Sequence, residues 1–139
     1  VLAQALNCAQ PDAPCGRCSS CSRIMRDSHP DVQVIAGRGV GGSLLIDQVR
    51  ALQRDAALSP YEGRYRVLIL RQMDRATTEA CNSLLKTLEE PPTRVVLVLT
   101  AGQRELLLPT IVARCQCLEL RPAALVELAD RADFIDTRW

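Results

Sequence analysis

The spacing of hydrophobic positions changes several times along the 139-residue chain, and each change marks an element. Val1 to Leu6 is apolar and helix-permissive and reads as the end of a helix already under way. Residues 7–21 break that pattern with cysteine, proline and glycine and read as a loop. Cys21 to Arg26 is a short helical piece, ended by Ser28-His29-Pro30. Asp31 to Ala36 carries Val32, Val34 and Ile35 and reads as a strand. Gly37, Gly39, Gly41 and Gly42 make a flexible connection. Ser43 is placed to cap a helix running to about Leu58, with Leu45, Val49, Leu52 and Ala56 on one face. Pro60 and Gly63 end it.

Val67 to Leu70 is a continuous apolar run, the pattern of a strand buried on both faces. Thr77 is placed to cap a second clear helix, with Ala80, Cys81, Leu84, Leu85 and Leu88 inward, and Glu89-Glu90-Pro91-Pro92 stops it. Val95 to Leu99 is another buried run. Arg104 to Leu108 reads as a short helix broken by Pro109, Gln116 to Leu120 as a fourth strand, and Ala123 to Ala132 as a last helix. Strands and helices in alternation predict an α/β fold with a mostly parallel sheet. Sites in such sheets lie at the carboxyl ends of strands. That places Arg71, Gln72, Thr100 and the Ala113-Arg114-Cys115 segment at the candidate site.

Composition removes several classes. Hydrophobic residues at 47% and charged residues at 24% are a globular balance, which argues against disorder. Seventeen basic against sixteen acidic residues leave +1, so no overall charge points to nucleic acid or a membrane surface. No stretch reaches the ~18 apolar residues of a membrane span. Val1 to Asn7 lacks the basic start and cleavage site of a secretory signal. Gly37 to Gly42 is followed by no Lys-Ser/Thr, so it is a plain loop and not a phosphate loop.

Cysteine is the unusual component. Of seven, four fall in fourteen residues as C-x6-C-x2-C-x2-C: Cys8, Cys15, Cys18 and Cys21. An odd total without an export signal argues against a disulfide framework. Paired C-x2-C turns bring thiolates to tetrahedral separation, and four thiolates fill a structural zinc shell with no open position. Two other readings are an iron–sulfur cluster and four unliganded thiols. The ferredoxin pattern needs a further cysteine where this chain has Met25. Cys81 reads as a small core residue, and Cys115 and Cys117 as packing on one strand.

The run Asn82-Ser83-Leu84-Leu85-Lys86-Thr87-Leu88-Glu89-Glu90-Pro91-Pro92 resembles bacterial clamp-loader subunits of DNA polymerase III, which are AAA+ ATPase-type proteins. Thr110-Ile111-Val112-Ala113-Arg114-Cys115 is similar to that family's T-I-x-S-R-C motif, and the cysteine cluster to its zinc module near the first helix. The likeness covers roughly residues 1–122. It implies a partial AAA+ core, an α/β parallel sheet of the P-loop type with flanking helices, over 1–122, with residues 7–22 as the zinc-binding insertion. Residues 123–139 would be the start of a lid or a tail outside the family pattern. The family's G-x4-G-K-[ST] loop and first strand are absent and expected upstream of Val1, which would leave a gap in the sheet order 5-1-4-3-2.

The family contains ATP-hydrolysing tau/gamma subunits and a non-hydrolysing delta prime type. An ATPase of this class needs two carboxylates after its third strand, one to orient magnesium and one to polarise water. Here Arg71-Gln72 follows Val67–Leu70, and Asp74 comes two positions too late. With His29-Pro30-Asp31, this resembles the delta prime type more than tau/gamma. The resemblance implies that Arg114 acts in trans as an arginine finger on ATP bound by a neighbouring subunit, and that Thr100 occupies the sensor position. The alternatives for these two are a surface salt bridge and a strand-end hydroxyl. Position 113 departs from the pattern, with Ala for Ser. Implied partners are tau/gamma and delta subunits, the sliding clamp, and primed DNA through the assembled complex, in the cytoplasm, with no membrane. A tau/gamma-type ATPase with its P-loop upstream is the alternative. A stand-alone zinc-binding DNA module fits poorly, given the near-neutral charge and the lack of interleaved aromatics.

Overall fold

The computed structural model describes residues 1–120. Its helices are α1 (Leu2–Asn7), α2 (Ser19–Met25), α3 (Ile46–Ala56), α4 (Thr78–Glu89) and α5 (Pro109–Val112). Its strands are β1 (Val32–Ile35), β2 (Arg66–Leu70) and β3 (Val95–Leu99). The strands form one parallel sheet in the order β1-β2-β3. Ile35 pairs with Leu70 and Leu70 with Leu99, so all three strands end on one row. The turns after them, at Ala36, Arg71 and Thr100, therefore open on the same edge.

The core forms where the apolar stripes of α3 and α4 meet β2. Val49, Leu52 and Ala56 of α3 pack with Leu68 and Leu70 of β2 and with Ala80, Cys81 and Leu84 of α4. Leu44, Met73 and Ile111 close it. Burial of each Val, Leu, Ile or Met side chain in this cluster is worth about 1.5–3 kcal/mol, which exceeds the weak intrinsic preferences of these short segments. Thr77 caps α4 as expected, its Oγ1 accepting from the Ala80 N–H at 3.2 Å.

Several expectations are corrected. Helix α3 starts at Ile46, and Ser43 does not cap it. Gln48 serves that end from within the helix: its Oε1 accepts from the N–H groups of Leu45 at 3.3 Å and Arg38 at 3.0 Å, and its Nε2 donates to Ala36 O at 2.8 Å. Leu44, not Leu45, is the buried residue at this turn. Helix α2 starts earlier than Cys21, with the Cys18 sulfur accepting from the Cys21 N–H. Strand β3 is half-buried along its whole length, because it has a hydrogen-bonded neighbour on one side only among the described residues. Pro109 does not break a helix but begins one. At the first helical position its missing N–H costs nothing and its fixed φ suits the turn. Residues 104–106 make only a short 3-10 turn.

Residues 116–120 form no strand. A strand needs a paired edge to satisfy its backbone, and Leu118 and Leu120 lie exposed instead. Cys117 is accordingly exposed, while Cys115 packs on the core and Cys81 is buried in it. The helix expected over Ala123 to Ala132 lies outside the described residues. No helix among those described is long and apolar enough to cross a membrane.

Candidate functional site

Two arrangements carry chemistry. The first is the cysteine cluster. The Sγ atoms of Cys8, Cys15, Cys18 and Cys21 all lie within 4.8 Å of one another. A tetrahedral shell with Zn–S near 2.3 Å sets sulfurs ~3.8 Å apart, so small side-chain adjustments suffice. Backbone N–H groups donate to the sulfurs: Gln10 to Cys8 at 3.5 Å, Cys18 to Cys15 at 3.3 Å and Cys21 to Cys18 at 3.4 Å. Such donors stabilise thiolate charge. The Cys15 N–H, followed by that of Gln10, holds Cys8 below its ordinary range, and the Cys21 N–H is the leading reason that Cys18 is lowered to about 6. Burial, followed by its contact with Cys18, pushes Cys21 up to about 12. One cluster thus contains thiols of opposed tendency, which a dication would resolve by displacing the protons. The donor set fits zinc, and zinc bound there would supply a cross-link between the start of the cysteine loop and α2.

The second arrangement lies at the carboxyl edge of the sheet. Gln72 takes a left-handed conformation, φ +56°, and its N–H donates to Thr100 Oγ1 at 3.3 Å. The Met73 N–H donates to Thr100 O at 2.8 Å. Arg71, Gln72 and Thr100 are thereby brought together, as the sequence placed them. Asp74 is engaged elsewhere, its Oδ1 accepting from the Gly102 N–H at 3.2 Å. Arg114 is not bonded to this group. It lies just past α5, where Nε donates to Glu89 Oε1 at 2.7 Å, Nη2 pairs with the same oxygen, and Nη1 donates to Thr110 O at 2.9 Å. These bonds engage three of the five guanidinium N–H groups, and the side chain stays one-third exposed.

Sequence reasoning missed what surrounds both sites. Glu89, a helix stop and part of the run over residues 82–92 in the sequence, also orients Arg114. Asp31 is fully buried. Its carboxylate accepts from the N–H groups of Tyr61, Glu62 and Gly63 at 2.6, 2.9 and 2.7 Å and pairs with Arg66. Burial alone would raise its pKa, but these donors outweigh burial and hold the carboxyl below its ordinary value. A Cβ at Gly63 would lie 2.7 Å from Asn7 Oδ1 and 3.2 Å from Asp31 Oδ2, so only glycine fits. The available signal was a charged residue opening an apolar strand at Asp31-Val32.

Comparison with known proteins gives a consistent picture. The family described as DNA polymerase III, delta subunit, has a model that matches residues 1–124. The chain is 36% identical to the DNA polymerase III subunit delta' of Bacillus subtilis over 132 residues, covering 94% of this chain and 40% of that protein. It is 39% identical to the delta' subunit of Haemophilus influenzae over 124 residues, 86% of this chain and 37% of that one. The gamma/tau subunit of Mycobacterium tuberculosis is 37% identical over 118 residues, 82% of this chain and 20% of its own. The chain therefore spans about two fifths of the length of these delta' relatives. A crystal structure of a DNA polymerase III gamma subunit-related protein from Thermotoga maritima superposes with a TM-score of 0.65 at 32% identity, over 72% of this chain and 32% of that one.

Proposed function

The chain belongs to the DNA polymerase III delta-subunit family, and on that footing we propose that it is part of the AAA+ core of a clamp-loader subunit of the non-hydrolysing, delta prime type. Residues 1–122 form that core and residues 7–22 its zinc-binding insertion. The observation that carries the non-hydrolysing reading is Arg71-Gln72 at the end of β2. A carboxylate pair is required there to hold magnesium and to polarise water. Neither side chain supplies one, and the nearest acid, Asp74, is turned to Gly102.

The chain's own chemical contribution is Arg114. Glu89 and Thr110 hold its guanidinium in place and leave one N–H on each terminal nitrogen for an external acceptor. A forked donor of this kind suits a γ-phosphate oxygen on a neighbouring subunit and stabilises the charge spread over it in the transition state. Thr100 keeps the sensor position on this reading; its hydroxyl oxygen accepts from the Gln72 N–H, and the O–H is left to donate. The partners on this reading are tau/gamma and delta subunits, the sliding clamp and primed DNA, in the cytoplasm.

A second reading, a tau/gamma-type ATPase, draws on the 37% identity to a gamma/tau subunit. Two measurements separate them. The purified full-length protein is expected to turn over no ATP. Turnover lost on mutating Arg71 or Gln72 would establish the tau/gamma reading instead. In a reconstituted loader, Arg114→Ala is expected to leave assembly intact and to slow ATP turnover and clamp loading severalfold. Fingers supplied in trans are worth roughly 10³–10⁵ at a single site, and the other ATP sites of a loader dilute that loss. Unchanged ATPase and loading rates return Arg114 to a surface ion pair.

A further inference from the structure

The cysteine module has almost no apolar interior of its own. Between Cys8 and Ser28 only Cys8 and Cys21 are buried. Its fixed position comes from polar contacts across the seam with the rest of the chain. Asn7, adjacent to Cys8, donates from Nδ2 to Tyr65 O and accepts at Oδ1 from the Tyr65 N–H, both at 3.0 Å. Gln4 Nε2 donates to the Cys21 carbonyl at 3.2 Å. Ser20, between Cys18 and Cys21, lies with Oγ 3.0 Å from His29 Nε2. Arg23 of α2 pairs with Glu62 at 2.6 Å.

The turn His29-Pro30-Asp31 stands behind most of this. The Asp31 N–H donates to His29 Nδ1 at 3.1 Å, which in the neutral ring leaves the proton on Nε2, aimed at Ser20. The Asp31 carboxylate fixes the 61–63 loop that carries Glu62 and leads into Tyr65. One turn at the start of β1 therefore reaches α2 through His29 and, through the loop and Tyr65, the residue beside Cys8.

We propose that His29 and Asn7 are positioning residues for the metal centre. They tie the two ligand-bearing segments to the sheet, so that the four sulfurs keep a spacing ready for a metal. Neither touches the ion; each acts through the segment that carries a cysteine. The inference rests on reading the cluster as a zinc site.

The test uses full-length protein loaded with zinc or cobalt(II). His29→Asn keeps an acceptor for the Asp31 N–H and removes the reach to Ser20. Ser20→Ala removes the same contact from a half-exposed position and leaves the core alone. Asn7→Ala removes the Tyr65 pair. Each is expected to speed zinc release to a chromophoric chelator about tenfold or more and to shift the cobalt absorption bands. The His29→Asn and Ser20→Ala effects should not add. Val49→Ala, a core variant, is expected to lower the melting temperature without changing either metal readout. Release rates and cobalt bands like wild type in all three seam variants would overturn the inference while leaving the zinc site standing. A wild-type chain that takes up neither metal overturns the zinc reading and this inference with it.

Discussion

His29 and Asp31 show how far a buried polar residue depends on its partners. Burial is the main reason that the His29 ring is harder to protonate than usual, although Glu62 and Asp31 oppose this, and Asp31 is held ionised by its donors. Both shifts are downward, so the unfolded chain binds more protons in acid and stability falls as pH falls. The His29 contribution is complete above about pH 6.5 and is lost as the pH drops through the lowered folded value. The Asp31 contribution is complete above about pH 3.9 and goes at more acid pH still. Denaturant midpoints between pH 7 and pH 5 should therefore drop less steeply in His29→Asn than in wild type. An equal slope would show that the buried ring is not held neutral. Asp31→Asn replaces a triple acceptor with an amide that cannot satisfy the three loop N–H groups, and should cost roughly 3 kcal/mol, read as a shifted urea midpoint.

Helices α3 and α4 have similar apolar stripes but different entrances. Thr77 accepts with its own hydroxyl oxygen from the free N–H of Ala80 in the first turn of α4. Ser43 stands three residues before α3, and a glutamine inside that helix does the work. Thr77→Ala is expected to cost about 1 kcal/mol, and Ser43→Ala to stay within about 0.5 kcal/mol. Equal losses in thermal melts would contradict the assignment of the two caps. The stripes themselves were plain in the sequence, because spacing three and four apart survives any packing partner. The cap was not, since a serine near a helix start looks the same whether or not the helix reaches it. The same holds for Gln116 to Leu120, whose alternation is strand-like but which meets no edge among the described residues.

Zinc would act on the whole chain, because the cysteine loop and α2 are joined to the sheet through Asn7, Ser20 and Arg23. Protein purified without chelator is expected to carry close to one zinc per chain. Removing it should lower the melting temperature by several degrees, as loss of any ligand that binds only the folded state does. Iron with a visible absorption band would replace the zinc assignment. An unchanged melting temperature after complete zinc removal would show that the module and sheet are uncoupled.

The cysteine spacing, the alternation of strands and helices, and the run ending in Glu89-Glu90-Pro91-Pro92 were legible in the chain alone, since each is a local pattern. So was the absence of carboxylates at positions 71 and 72, a matter of residue identity. What only the tertiary structure decided are contacts between residues far apart in sequence. Asp31 meets residues 61–63, Asn7 meets Tyr65, and Glu89 meets Arg114. A carboxylate or amide has no periodicity to reveal its partner; its place is set when the sheet and helices close around it. The half-burial of β3 has the same origin. The apolar run Val95 to Leu99 states only that the strand can be buried, and the number of neighbours beside it determines how far it is.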